Sequence, residues 1–194
     1  MSEEIKRLKR DICLIKYRNL PLIEYEKESD SDIYYYPNAD YLYWIKLEED
    51  SSKELIREFI KLLKLLGFGS FIFFVATNKP WISKKTQKRK DFDPLTKAIK
   101  YFESLKIDNK FNGGIEIGFQ KLKEFLPNFY TMTECDGGFF DVYFSNIKQD
   151  IIFYLHYSGE IKILPLNEKN NTKFLKAVKQ TRFIDSLRDK TDRI

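Results

Sequence analysis

The feature that most constrains this chain is the run Phe71-Ile72-Phe73-Phe74-Val75-Ala76, which is apolar at every position. Successive side chains of a strand point to opposite faces, so such a strand needs cover on both sides. It therefore reads as a central strand, extended to Ser70, in a sheet packed on both faces. It is also the longest apolar run, far short of the roughly 20 residues of a membrane-spanning helix. Just upstream, Leu55, Phe59, Leu62 and Leu66, widened by Ile56, Ile60 and Leu63, form one stripe at helical spacing. Ser51 to Glu54 fits a capping box, in which Ser51 accepts from the first amides and Glu54 reaches back. Gly67 supplies the left-handed stop.

The remaining elements are read around this pair. Ile5, Leu8, Ile12 and Ile15 predict a helix over residues 3–16, with a strand over 12–17 as the alternative. The polar stretch 26–32 reads as a loop, 33–36 as a short edge strand and 41–47 as a strand. Asp93-Pro94 is an N-cap followed by proline, opening a helix over 94–106 lined by Leu95, Ile99, Phe102 and Leu105. Residues 115–117 form a short strand, and 121–126 a helical piece stopped by Pro127. From Phe129 onward a β-meander is expected. Residues 129–135 and 138–145 flank Asp136-Gly137 as a type I′ turn, and 151–157 and 160–166 flank Ser158-Gly159. A last helix follows Asn170-Asn171-Thr172, with Phe174, Leu175, Val178, Ile184 and Leu187 on its apolar face. The class is α+β: a mixed or antiparallel sheet with a C-terminal four-strand meander, packed by amphipathic helices in one domain over 1–194.

Catalytic signatures are scarce. One histidine, His156, and two distant cysteines, Cys13 and Cys135, assemble no Ser-His-Asp, Cys-His or multi-histidine metal set. Gly67-Phe68-Gly69 follows a helix and Gly113-Gly114 precedes a strand, so neither is a phosphate-binding glycine loop. No cofactor and no metal are expected. The acidic start, Met1-Ser2-Glu3-Glu4, does not read as a signal peptide, and two thiols suit a reducing compartment. A cytoplasmic protein with no membrane partner follows.

Two features address recognition. Lys84-Lys85-Thr86-Gln87-Lys88-Arg89-Lys90 is the densest basic run in a chain of formal charge +5. With Trp81 at its base it reads as a partner-binding loop: Trp81, Lys84, Lys85, Lys88, Arg89 and Lys90 would grip phosphates beside a stacking ring, or dock an acidic protein surface. The bland alternative is a solvated connection. Seventeen Phe and twelve Tyr also put aromatic rings at or near the surface.

A third feature is Glu160-Ile161-Lys162 with Asp141 on another strand. It resembles the metal site of the PD-(D/E)xK nucleases, without the proline; a cross-strand ion pair on an exposed face is the plainer account. In overall layout the chain resembles the immunity proteins of bacterial polymorphic and contact-dependent toxins. The aromatic segment Cys135 to Phe144 and Tyr157-Ser158-Gly159-Glu160 carry that resemblance. It implies a non-catalytic cytosolic domain that binds and neutralises a cognate toxin. The basic balance of this chain departs from the acidic immunity proteins that mimic nucleic acid, so a toxin domain with an acidic surface is implied. Nucleic-acid binding through the 81–90 loop and a divalent-metal nuclease are the alternatives.

Overall fold

The computed structural model describes residues 5–194. Its centre is an antiparallel sheet of eight strands. In chain order these are β1 (Ile5–Leu8), β4 (Tyr43–Lys46), β5 (Ser70–Val75), β6 (Gly114–Gly118), β7 (Val142–Asn146), β8 (Ile151–Leu155), β9 (Ile161–Pro165) and β10 (Ile184–Asp185). They lie side by side as β1-β6-β5-β7-β8-β9-β4-β10. A separate hairpin pairs β2 (Leu22–Glu26) with β3 (Ser31–Tyr35). Five helices complete the fold: α1 (Arg10–Lys16), α2 (Ser52–Leu65), α3 (Asp93–Ser104), α4 (Leu122–Cys135) and α5 (Glu168–Val178). The α+β class and the meander β7-β8-β9 match the sequence reading.

Strand β5 is buried along both faces, as its composition demands. Phe71, Phe73 and Val75 join the larger core, which α2, α3, α4 and α5 roof with Phe59, Leu62, Phe102, Phe125, Phe129 and Phe174. Ile72, Phe74 and Ala76 join a smaller core on the opposite face, covered by Cys13 and Tyr17 of the α1 segment and Ile23 of the hairpin. That cover reaches Ile152 of β8 and Leu164 of β9 but leaves Tyr154, Lys162 and Trp44 only partly buried.

Helix α2 starts and stops as its sequence requires. Ser51 Oγ accepts from the Glu54 amide at 3.3 Å, and Gly67 sits at φ +66°. The reciprocal half of the capping box is not formed, because the Glu54 carboxylate turns to Arg57 and Arg182 instead.

Several boundaries differ. Residues 5–8 of the expected first helix pair with β6 as a strand, and residues 3 and 4 lie outside the described residues. The expected loop 26–32 is the turn and second strand of the hairpin. Asp93 is the first helical residue of α3, not its cap, and Phe92 takes the cap position. Pro127 does not stop a helix. Leu122, Phe125, Leu126, Phe129, Met132 and Thr133 are buried at helical spacing, while Pro127 lies on the exposed side. The burial of those side chains outweighs the cost of about 3 kcal/mol that a proline inside a helix imposes. Residues 129–135 are thus helix, and Asp136-Gly137 is no type I′ turn. Asp136 has φ −134° and caps a 3₁₀ turn over Gly137–Asp141 through the Gly138 amide, 2.9 Å from its Oδ1. The last helix begins at Glu168, capped by Asn167, and Ile184 lies beyond it on β10.

Phe59 is fully buried, with its ring edge-on to Phe144 and Phe153 at 5.7 and 5.9 Å. Phe59→Ala should cost about 3–5 kcal/mol in urea-unfolding stability. A loss under about 1 kcal/mol would mean that α2 does not seal the core.

Candidate interaction surface

The expected basic loop exists, but not with an aromatic platform. Trp81 is fully buried, wedged among Phe102, Phe111, Phe129 and Phe139, and its Nε1 donates to the Gly113 carbonyl at 2.9 Å. It anchors the loop and cannot stack on a ligand. The loop itself is ordered by small polar groups. The Ser83 amide donates to Asp136 Oδ2 at 2.8 Å, and the Thr86 amide to Ser83 Oγ at 3.1 Å, which starts a 3₁₀ turn over Thr86–Lys88. Lys84, Lys85, Lys88 and Lys90 are exposed, whereas Arg89 is held by both oxygens of Asp91. Four free ammonium groups remain, on a connection that is fixed at both ends.

The residues of the E-x-K pattern are not brought to one metal. Glu160 grips Arg188 through both oxygens and accepts from Ser158 Oγ at 3.1 Å. The Arg188 contact holds its carboxyl below the usual range. Asp141 lies at the end of the 3₁₀ turn, and burial pushes its carboxyl up. Among the described residues no group of three or more His, Cys, Asp or Glu side chains could hold a metal. His156 is tied to Ser158 Oγ at 2.6 Å, and burial lowers its proton affinity, with Arg188 adding to the effect.

What the uncovered part of the second face carries is a continuous chain of rings. Tyr34 and Tyr36 lie parallel with centroids 6.4 Å apart, at the end of the hairpin. Tyr36 meets Tyr143 edge-on at 6.2 Å, and their hydroxyls are 3.0 Å apart. Tyr143 packs on Tyr154 at 5.0 Å, and Trp44 stands edge-on to Tyr154 and His156 at 6.2 and 6.0 Å. His156 leads to Tyr157 at 4.1 Å, and Tyr157 stacks on Phe140 at 5.2 Å. Alternation explains the arrangement: Tyr154 and Trp44 both face Lys162 across neighbouring strands. The outer rings are open to solvent, Tyr34 at 57%, Tyr36 at 46%, Tyr157 at 50% and Phe140 at 38% exposure. The sequence reading had singled out the segments around Phe140 and Tyr157, but not Tyr34, Tyr36 or Trp44. Their only signal was the aromatic excess, because Tyr36 and Trp44 join the belt through Tyr143, Tyr154 and His156, more than a hundred positions away.

Two cations sit within this belt. Arg188, fixed by Glu160, lies over the Trp44 ring at 3.9 Å. Lys162 is half-buried, with its ammonium 5.1 Å from the centre of the Tyr36 ring. No acidic side chain among the described residues pairs with it, and burial, then Arg188, lowers its proton affinity. The Tyr154 hydroxyl beside it is raised to about 12, chiefly by burial.

Comparison with protein-family models, with curated proteins and with solved structures finds no match to this chain.

The Lys162 shift has a definite sign. Its affinity for a proton is lower in the folded than in the unfolded chain, so stability rises with pH between the two values. Below both values the full cost of burying the charge is present, and it is relieved as pH rises through the folded value. Lys162→Met should therefore raise the thermal midpoint at pH 7, by roughly 2–4 °C for each kcal/mol recovered in a chain of this size. The advantage should shrink as pH approaches the ordinary lysine value of 10.5. A lower midpoint for the variant at pH 7 would show that the ammonium stabilises the fold.

Proposed function

We propose that this chain acts by binding, and that it is an immunity-type protein that neutralises a cognate bacterial toxin. The observation that carries this reading is the continuous aromatic belt from Tyr34 to Phe140, whose rings at Tyr34, Tyr36, Tyr157 and Phe140 are exposed. Tyrosine, tryptophan and arginine are the residues that dominate the energetics of protein interfaces. A belt of rings with polar tips can lie against water without its partner and still bury much area on contact. Contiguous exposed apolar surface is uncommon unless something covers it.

Glu160, the acid on which the nuclease reading depends, is engaged by Arg188 and Ser158, which favours stoichiometric action over turnover. A cytoplasmic address fits the two free thiols, Cys13 buried and Cys135 half-buried. No helix among the described residues is long and apolar enough to cross a membrane. A nucleic-acid role draws on the exposed Lys84, Lys85, Lys88 and Lys90, without a ring on which bases could stack.

Coexpression tests the proposal. Beside the toxin encoded next to its gene, the chain should restore growth, and only when made in amounts matching the toxin. The double variant Tyr34→Ala/Tyr157→Ala should lose the rescue with an unchanged thermal midpoint. Serine at Lys84, Lys85, Lys88 and Lys90 should slow association and flatten its salt dependence, while leaving the rescue in place. Rescue that survives the tyrosine variant, or that fails only in the lysine variant, would reject the belt as the interface.

A further inference from the structure

We infer that the centre of the belt is a carboxylate-binding site, in which the Lys162 ammonium takes an aspartate or glutamate side chain from the protein partner, between the rings of Tyr36, Tyr154 and Trp44. This inference rests on the belt being the interface and names the chemistry of what enters it.

A half-buried cation without a counter-charge is costly, and chains keep such a group where a ligand completes it. The acids nearest Lys162 are otherwise engaged or directed elsewhere. Glu160, two residues before it and just ahead of β9, is taken by Arg188. Asp141 bears on Tyr143 and Tyr154, and its charge is not among those that act on Lys162. Lys162, Arg188, Glu160 and Asp141 together carry no net charge, but the one charge that acts on the ammonium itself is Arg188, which is positive. Tyr154 is the cross-strand partner of Lys162, and its hydroxyl makes no hydrogen bond to a described residue. The ammonium and the phenol thus lie on one face of the sheet and offer an acid two kinds of donor. The Arg188 guanidinium, held rigid over Trp44, adds to the attractive potential without being consumed.

The surroundings choose a protein carboxylate over a nucleic-acid phosphate. The hairpin that flanks the belt carries Glu24, Glu26, Glu28, Asp30 and Asp32 against Lys27 alone. A polyanionic backbone laid along the belt would meet that acidic arm, whereas neutralising several phosphates needs several cations. A protein can present one acid for Lys162 and basic residues towards the hairpin. Opposite charges in fixed places also set the register of docking.

The test uses the full chain labelled for NMR, with hexaglutamate as the acidic probe and a twelve-residue oligothymidylate as the competing class. Hexaglutamate should shift the Trp44 indole and Tyr154 ring signals together with the Lys162 ε-carbon, in a saturable manner. Lys162→Met should abolish those shifts and Lys162→Arg should retain them. Shifts confined to Lys84, Lys85, Lys88 and Lys90, or equal movement of the belt signals with oligothymidylate, would overturn the inference. Against the toxin of the coexpression assay, Lys162→Met should weaken binding by about thirtyfold or more. If Tyr34→Ala/Tyr157→Ala abolishes that binding while Lys162→Met leaves it intact, the belt stands and the carboxylate site falls. If neither variant matters, both fall.

Discussion

Phe73 stacks on Phe144 at 4.4 Å on one side of the sheet, while its neighbours Ile72 and Phe74 project from the other. A strand with no polar face cannot sit at an edge or against water, and this requirement organises the molecule. One side is met by four helices, and aromatic contacts run from Phe59 of α2 through the strand residues Phe144 and Phe73 to Phe125 and Phe129 of α4 and on to Trp81. The other side is met by α1 and the hairpin, tied down where Arg10 donates to the carbonyls of Val75, Ala76 and Thr77 at the end of β5. These are small elements: they bury Ile152 and Leu164 but leave Tyr154, Lys162 and Trp44, farther along β8, β9 and β4, only partly buried.

The side chains on the open surface are of a kind that tolerates both water and contact. Tyr154 and Trp44 occupy positions that, on the covered side, are filled by Phe153 and Ile45. Phenol and indole keep a polar atom for solvent while their rings pack against one another, so the strands remain stable unbound. Lys162 does not fit this account of stability, since its burial disfavours the charged form. A residue that lowers stability at the centre of an otherwise well-packed surface is most simply understood through what it contacts in a complex. The Glu160–Arg188 pair, in the turn just before this strand, is a charge satisfied within the chain.

Local signals were legible wherever packing agreed with them. The α2 stripe, the Ser51 cap, the Gly67 stop and the β8–β9 turn with Gly159 at φ +80° could all be read from neighbouring residues. Failures occurred where a local signal met a stronger distant one. Pro127 and Asp136-Gly137 both announce breaks, yet the buried spacing of Leu122, Phe125, Phe129 and Met132 carries the helix past the first. Asp136 is diverted at the second by the Ser83 amide, fifty-three positions away in sequence. Gly138 is required there for a different reason: a Cβ at that position would lie 2.4 Å from the Trp81 carbonyl oxygen. Trp81 was misread in the same way. A tryptophan beside lysines looks like a binding platform until the fold supplies Phe102, Phe111, Phe129 and Phe139 around it. The belt was invisible because its members come from the hairpin, β4, β7, β8 and the turns beside them.

In the proposed complex the loop lysines and Lys162 would have separate tasks. Lys84, Lys85, Lys88 and Lys90 project from a fixed connection and are fully hydrated, so their influence is long-ranged and screened by salt within about 8–10 Å under ordinary conditions. Such groups speed the approach of an acidic surface and contribute little once contact is made. Lys162 is the reverse case: half-buried among rings, it is weakly screened and acts only on a group that reaches it. The acidic hairpin, joined to the belt through Tyr34 and Tyr36, sets a third condition on the same partner. A partner attracted by the loop lysines alone satisfies neither of the others. One that carries an acid at the centre of its contact face and basic groups at one margin satisfies both, and can do so in a single orientation.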